Sequence, residues 1–167
     1  PFTEQQVHDI CIDGLLYQHS LCSSTDEIAV FWSMFSKARQ LGEIREGQDY
    51  KISQISSLKV SIKSDPQKTY EFNEPTYILF VREKICLAKA NIQAKREGKI
   101  MIPDESLLSY LISTPDYLGK TKSPLKFYIL DENGNPTKRY KDSGESELVY
   151  DQERVLAFDY CSIAKNY

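Results

Sequence analysis

The sequence predicts an α+β fold, with N-terminal helices and short strands followed by a C-terminal half in winged-helix order. Three observations carry this. Apolar residues recur at helical spacing over 28–38, they alternate with polar ones over 50–81, and alternation returns beyond residue 125 after a helix–strand–helix stretch. At 167 residues the chain fits one ordinary domain or two small lobes packed together. We place the boundary between a helical and strand lobe, 1–81, and a winged-helix-like lobe, 82–167, expected to pack as one unit.

Residues 3–18 read as a first helix, with Val7, Ile10, Cys11 and Leu15 on one side, followed by a polar loop over 19–24. Ser24, Thr25, Asp26 and Glu27 offer a capping hydroxyl and acids for a second helix. Its stripe is Ile28, Phe31, Trp32, Phe35 and Ala38, closed by Leu41 and stopped at Gly42. An aromatic stripe of this kind is core before it is a ligand site. Half-exposed strands follow at 50–52, 58–62 and 70–72, broken by Asp65-Pro66 and Glu74-Pro75. The continuous apolar run 77–81 fits either a buried strand or the entry to the next helix.

A helix over 82–97 would bury Val81, Ile85, Ala88 and Ile92 and end at Gly98. A short strand at 99–102 comes next, then a helix opened by Pro103, Asp104 and Glu105, bearing Leu107, Leu108, Leu111 and Ile112, and stopped by Pro115. Leu125, Phe127 and Ile129 alternate as a strand, and Asn133-Gly134 marks a tight turn. The return strand lies at 138–141 or, after a longer loop, at 154–160. In winged-helix order, 115–123 would hold a short recognition helix and the following loop would be the wing.

Composition removes several classes of function. No apolar run approaches the roughly 18 residues that span a bilayer, and the N-terminus has neither the basic start nor the apolar stretch of a signal peptide. The chain begins at Pro1 without an initiator methionine and reads as a piece of something longer. Cys11, Cys22, Cys86 and Cys161 are scattered among apolar neighbours, as reduced core cysteines are, so a cytoplasmic location is expected. A net charge of −3 excludes a uniformly basic surface but leaves room for a local basic patch.

Catalytic motifs are incomplete. Gly119-Lys120-Thr121 matches the end of a phosphate-binding loop, but Thr114 stands where the motif needs glycine and Pro124 follows where it needs a helix. Glu97-Gly98-Lys99 followed by Pro103-Asp104 has the acid and lysine elements of a metal-dependent nuclease in reversed order; Glu97 fits a solvated helix end and Asp104 an N-cap. His8 and Cys11 with His19 and Cys22 have residue types that bind zinc. On one continuous helix, however, the pairs stand roughly 16 Å apart, and only a break near Gly14 would join them. No nucleophile signature, metal site or cofactor is expected.

The remaining candidates are basic. Lys120, Lys122 and Lys126 lie in and beside the basic turn that connects to the first wing strand, and Lys138, Arg139 and Lys141 lie in the wing loop around Tyr140, all placed to reach phosphates. Glu145, Glu147, Asp151 and Glu153 nearby oppose this, and an ordinary solvated surface has the same composition.

Three stretches resemble a known group. They are Phe31-Trp32 with the segment 42–52, Leu107 to Leu111 with Tyr117-Leu118-Gly119 and 123–127, and Ala157-Phe158-Asp159-Tyr160. Together they look like the C-terminal region of primase- and helicase-type replication proteins of mobilizable transposons, plasmids and phage-like elements of Bacteroides and its relatives. The likeness covers about residues 28–163 through hydrophobic patterns, with Lys126 where that pattern tends to carry arginine. It implies a non-catalytic module that positions a replication protein on DNA. The alternative is a protein-interaction domain docking on a helicase or primase core. DNA and replication proteins of the same element are then the expected partners, with no membrane and no small-molecule substrate.

Overall fold

The computed structural model describes residues 15–167. Within them lie helices α1 (Leu15–Gln40), α2 (Glu83–Arg96), α3 (Asp104–Ile112) and α4 (Tyr160–Asn166). The strands are β1 (Tyr50–Ser61), β2 (Lys68–Val81), β3 (Tyr117–Thr121), β4 (Leu125–Tyr128), β5 (Lys138–Tyr140), β6 (Ser146–Leu148), β7 (Tyr150–Glu153) and β8 (Leu156–Asp159). The fold is therefore α+β. Its centre is a small closed barrel of β1, β2, β8 and β3, with every pairing antiparallel. Two ribbons, β4–β7 and β5–β6, stand outside it.

Burial on both faces explains the apolar run before α2. Leu79 and Val81 face the helices and join Phe31, Trp32, Phe35, Leu87 and Leu107 in the larger core. Ile78 and Phe80 face the other way, into a second core with Leu58, Val60, Phe127, Val155 and Ala157. A strand covered on both sides loses polar alternation and reads as continuous apolar sequence. β8 repeats the device, with Leu156 and Phe158 in the first core and Ala157 in the second. Two barrel strands precede residue 81 or end there and two follow it, and the larger core draws on both sides.

The stripe of α1 is core as expected: Ile28, Phe31, Trp32, Phe35 and Ala38 are all buried. Trp32 meets Phe158 edge-on at 5.2 Å between centroids, and Phe35 meets Tyr50 at 5.5 Å. Gly42, at φ +77°, ends the helix region. Its N–H donates to Arg39 O and that of Glu43 to Ala38 O, the double bond of a left-handed C-terminal cap. Leu41 lies outside the stripe and is exposed.

Several expectations are corrected. The polar stretch 19–24 is helical and Ser24 is interior to α1, because nothing between Leu15 and Gln40 is glycine or proline to end the helix. The helix expected over 3–14 lies outside the described residues. Glu74-Pro75 does not end its strand: the β1–β2 register jumps from Ile55↔Thr76 to Ser57↔Glu71, so Pro75 sits in a bulge where it forfeits no ladder hydrogen bond. The buried face of α2 is Cys86, Leu87, Ala90, Gln93 and Ala94, while Ala88 and Ile92 are exposed. The small side chains at 86, 90 and 94 are buried in the larger core with those of α1, and the larger isoleucine at 92 lies off that face. Residues 99–102 form no strand, and Ile100 projects into solvent at 90% exposure. Pro103 rather than Asp104 takes the N-cap position of α3.

The C-terminal half also differs from the expected order. β3 occupies 117–121, within the stretch where a winged helix places its recognition helix. β4 pairs with β7, at neither of the two expected return positions, whereas 138–140 pairs with β6 and 156–159 closes the barrel. Buried Arg82 ties this ribbon down. Its guanidinium donates to Gln48 O at 3.0 Å, to Asp151 at 3.3 Å and to Glu153, and lies 5.1 Å from the centroid of the Phe127 ring. Among the described residues, no helix is long and apolar enough to cross a membrane.

Candidate nucleic-acid interface

β1 and β3 build the site through their pairing. Val60 and Thr121 are register partners and both buried. The next pair, Ser61 and Lys120, therefore points away from the core. β3 can lie this close because residue 119 is glycine. At φ +138°, a Cβ there would stand 2.7 Å from Val60 Cγ2 and 2.9 Å from Ile62 Cγ2. Thr121 is locked from both sides: its N–H donates to Val155 O at 2.8 Å and its hydroxyl accepts from the Val155 N–H at 3.0 Å. Arg154 is placed by donating from Nε to Thr121 O at 2.7 Å.

The β1–β2 turn supplies another wall. Reciprocal bonds between Ile62 and Asp65 close it, and Asp65 Oδ1 accepts from the Gln67 N–H at 3.0 Å, holding Lys63 and Ser64 at the tip. The end of α3 contributes Ser109, Ile112 and Ser113. With Tyr70 from β2 and Tyr117 from β3, these groups enclose an open groove of about 830 Å³. Its cations are Lys63, Lys120 and Arg154, and none of the described residues lining it is acidic. Glu83 stands beside it and pairs with Lys120 Nζ at 3.8 Å, a long and partly exposed contact of the same kind as that between Lys141 and Glu147. Burial, with Glu83 and the Tyr70 phenol nearby, pushes the Tyr117 hydroxyl up to about 12.

A second recess of about 180 Å³ adjoins along the same strands, where the Lys122 N–H donates to Lys59 O at 3.3 Å. Lys59, Lys68 and Lys122 line it with Gln67 and Thr69, again without a carboxylate among the described residues. Five lysines and an arginine thus converge on one region of the barrel from segments far apart in sequence.

Of the six basic residues singled out by sequence, the structure brings two into this region, Lys120 and Lys122. Lys126 lies on the β4–β7 ribbon with its ammonium 4.8 Å from the Tyr150 ring centroid. Lys138, Arg139 and Lys141 belong to the β5–β6 hairpin region. There the cross-strand partner of Arg139 is Glu147, which accepts from Arg139 Nε at 3.0 Å and stands 3.6 Å from Lys141. Hydrogen bonding to Arg139 holds the Glu147 carboxyl below its ordinary range. The hairpin charge is largely internal.

Sequence reading missed Lys59, Lys63, Lys68, Arg154, Tyr70 and Tyr117. The available signal was the alternation Lys59-Val60-Ser61-Ile62-Lys63, which puts two lysines and a hydroxyl on one face of a strand. The other motifs dissolve into structure. Gly119-Lys120-Thr121 is strand, not a phosphate loop, and its threonine hydroxyl is buried and bonded. Glu97 pairs with Lys37 and Gln93 instead of with Asp104. Among the described residues, no three His, Cys, Asp or Glu side chains gather as metal ligands. His8 and Cys11 lie outside those residues, as do the side chains of His19 and Cys22.

Comparison with protein families, with curated proteins and with solved structures found no match for the chain.

Proposed function

We propose that this chain is a non-catalytic DNA-binding or DNA-positioning module, acting within a replication or mobilization protein of a mobile element. The observation that carries the binding half is the groove whose lining combines Lys63, Lys120 and Arg154 with four serine hydroxyls and no described carboxylate. Such a set suits successive phosphates, because ammonium and guanidinium groups neutralise them and hydroxyls orient them. The neighbouring recess with Lys59, Lys68 and Lys122 extends the positive track. The replication context rests on the resemblance of the three sequence stretches. The winged-helix comparison enters only through β5–β6, which has the exposure of a wing but spends its charge on Glu147.

The competing function, docking on a helicase or primase core, draws on a smaller groove of about 230 Å³. Trp32, Phe35, Leu79, Ile163 and Tyr167 line it between α1 and α4.

The test is fluorescence anisotropy with labelled DNA from about 50 to about 200 mM salt. Binding should weaken as salt rises, and Lys63→Ala with Lys120→Ala should lower the salt slope by about 1 per contact removed. Lys138→Ala with Arg139→Ala should leave it unchanged. No binding to any DNA at the lowest salt would overturn the proposal.

A further inference from the structure

We infer that the groove takes a single strand of nucleic acid, with a base stacked against Tyr70 and Tyr117 while Lys63, Lys120 and Arg154 hold the flanking phosphates. This rests on the nucleic-acid function proposed above and adds which form of the polymer fits.

The first observation is the pair of rings. Tyr70 and Tyr117 line the same recess from different strands, and both are partly buried. Each has another ring beside it: Tyr70 lies parallel to Phe72 at 6.3 Å, with Lys68 Nζ 5.4 Å from its own centroid, and Tyr117 packs against Phe158 at 5.4 Å. Rings fixed in advance lose little freedom on binding, which is what a stacking platform needs. The second observation is the arrangement of charge around them. Lys63 on the turn and Arg154 are exposed, whereas the rings are partly buried in the same groove, so a backbone held at the surface by these cations leaves the rings to a group reaching inward. In a duplex the bases are paired and stacked inside, and the outermost groups are phosphates. Only an unpaired base can reach a partly buried ring while its backbone stays on the cations. The third observation concerns the exposed β5–β6 hairpin, the element that stands in the position expected for a wing. Its Arg139 and Lys141 are occupied by Glu147, and Asp142 and Glu145 stand exposed beside them.

The experiment compares labelled strands of about 15 nucleotides on the whole chain by anisotropy at low salt. The probes are oligo-dT, oligo-U, an abasic strand with the same backbone charge, and a duplex of equal length. The base-bearing single strands should bind at least roughly tenfold more tightly than the abasic strand and the duplex, the weight of about one stacked base. Oligo-dT and oligo-U stand for DNA and RNA strands, and tight binding of either supports the inference. Equal binding of all four probes, or tighter binding of duplex, overturns single-strand stacking and leaves phosphate binding intact. No binding to any probe overturns both. Tyr70→Leu and Tyr117→Leu, checked for folding by thermal melting, should reduce oligo-dT to the abasic level. Undiminished affinity in folded variants would also overturn the inference, and the abasic comparison needs no variant.

Discussion

Asp49 is 1% exposed, and both its carboxylate and its carbonyl are hydrogen-bonded. Its carboxylate accepts from the Arg45 N–H at 2.9 Å and from Lys89 Nζ at 2.9 Å, while its backbone oxygen accepts from the Arg82 N–H and from Cys86 Sγ. The loop between α1 and β1 is thereby bolted to α2. Asp49→Ala leaves the Lys89 ammonium with Glu43 O but no carboxylate and the Arg45 N–H without this acceptor, and should cost about 1–3 kcal/mol in a denaturant melt. Burial pushes the Cys86 thiol well above its usual range, and Asp49 adds to this. Iodoacetamide at neutral pH should therefore modify exposed Cys161 and spare Cys86 until the chain unfolds; peptide mapping reads both. At the other end of α2, hydrogen bonds from Lys37 and Gln93 hold the Glu97 carboxyl below its ordinary value. A depressed carboxylate stabilises the fold above its unfolded pKa, about 4.3, and that stabilisation is lost as pH falls through the folded value. Thermal midpoints of the wild type and Glu97→Gln should differ at neutral pH and converge in acid.

Among the elements, those determined by local pattern were legible and those determined by partners were not. The α1 stripe has unambiguous large side chains at helical spacing, and Gly42 and Gly98 both adopt the left-handed conformation their positions imply. The face of α2 is hard to read because three of its five buried residues are cysteine and alanine, which carry little hydrophobic signal against Ile85 and Ile92. Strand β3 was read as a basic connector, since Tyr117-Leu118-Gly119-Lys120-Thr121 becomes a strand only when β1 and β8 flank it. Gly119 is the position where this pairing is most sensitive. Gly119→Ala forces both an unfavourable φ and contacts near 2.7–2.9 Å with Val60 and Ile62. It should cost about 2–5 kcal/mol, adding overpacking to backbone strain, seen as a lowered denaturation midpoint. A variant as stable as the wild type would show that β3 and β1 do not pack this closely.

On the scale of the molecule, the barrel turns four separated stretches of sequence into one surface. Closure pairs β1 with β3 and β2 with β8, so Lys59 and Lys63 come beside Lys120 and Lys122, and Arg154 joins them through Thr121. This convergence is why, of the residues lining the groove and recess, only Lys120 and Lys122 stood out in the sequence: the others belong to segments whose neighbours depend on a closure that no local pattern encodes. The separation of the hairpin cations from this surface has the same origin. Lys138, Arg139 and Lys141 look like a free basic cluster until the β5–β6 pairing sets Glu147 across from Arg139. The central claim is therefore one of place: the barrel groove, rather than the hairpin, meets nucleic acid. Backbone amide chemical-shift mapping during titration with a single-stranded oligonucleotide tests it most directly. Perturbations should concentrate at Ser61, Lys63, Ser64, Ser113, Lys120, Lys122 and Arg154. Perturbations confined to 138–148, or none at all, would contradict it.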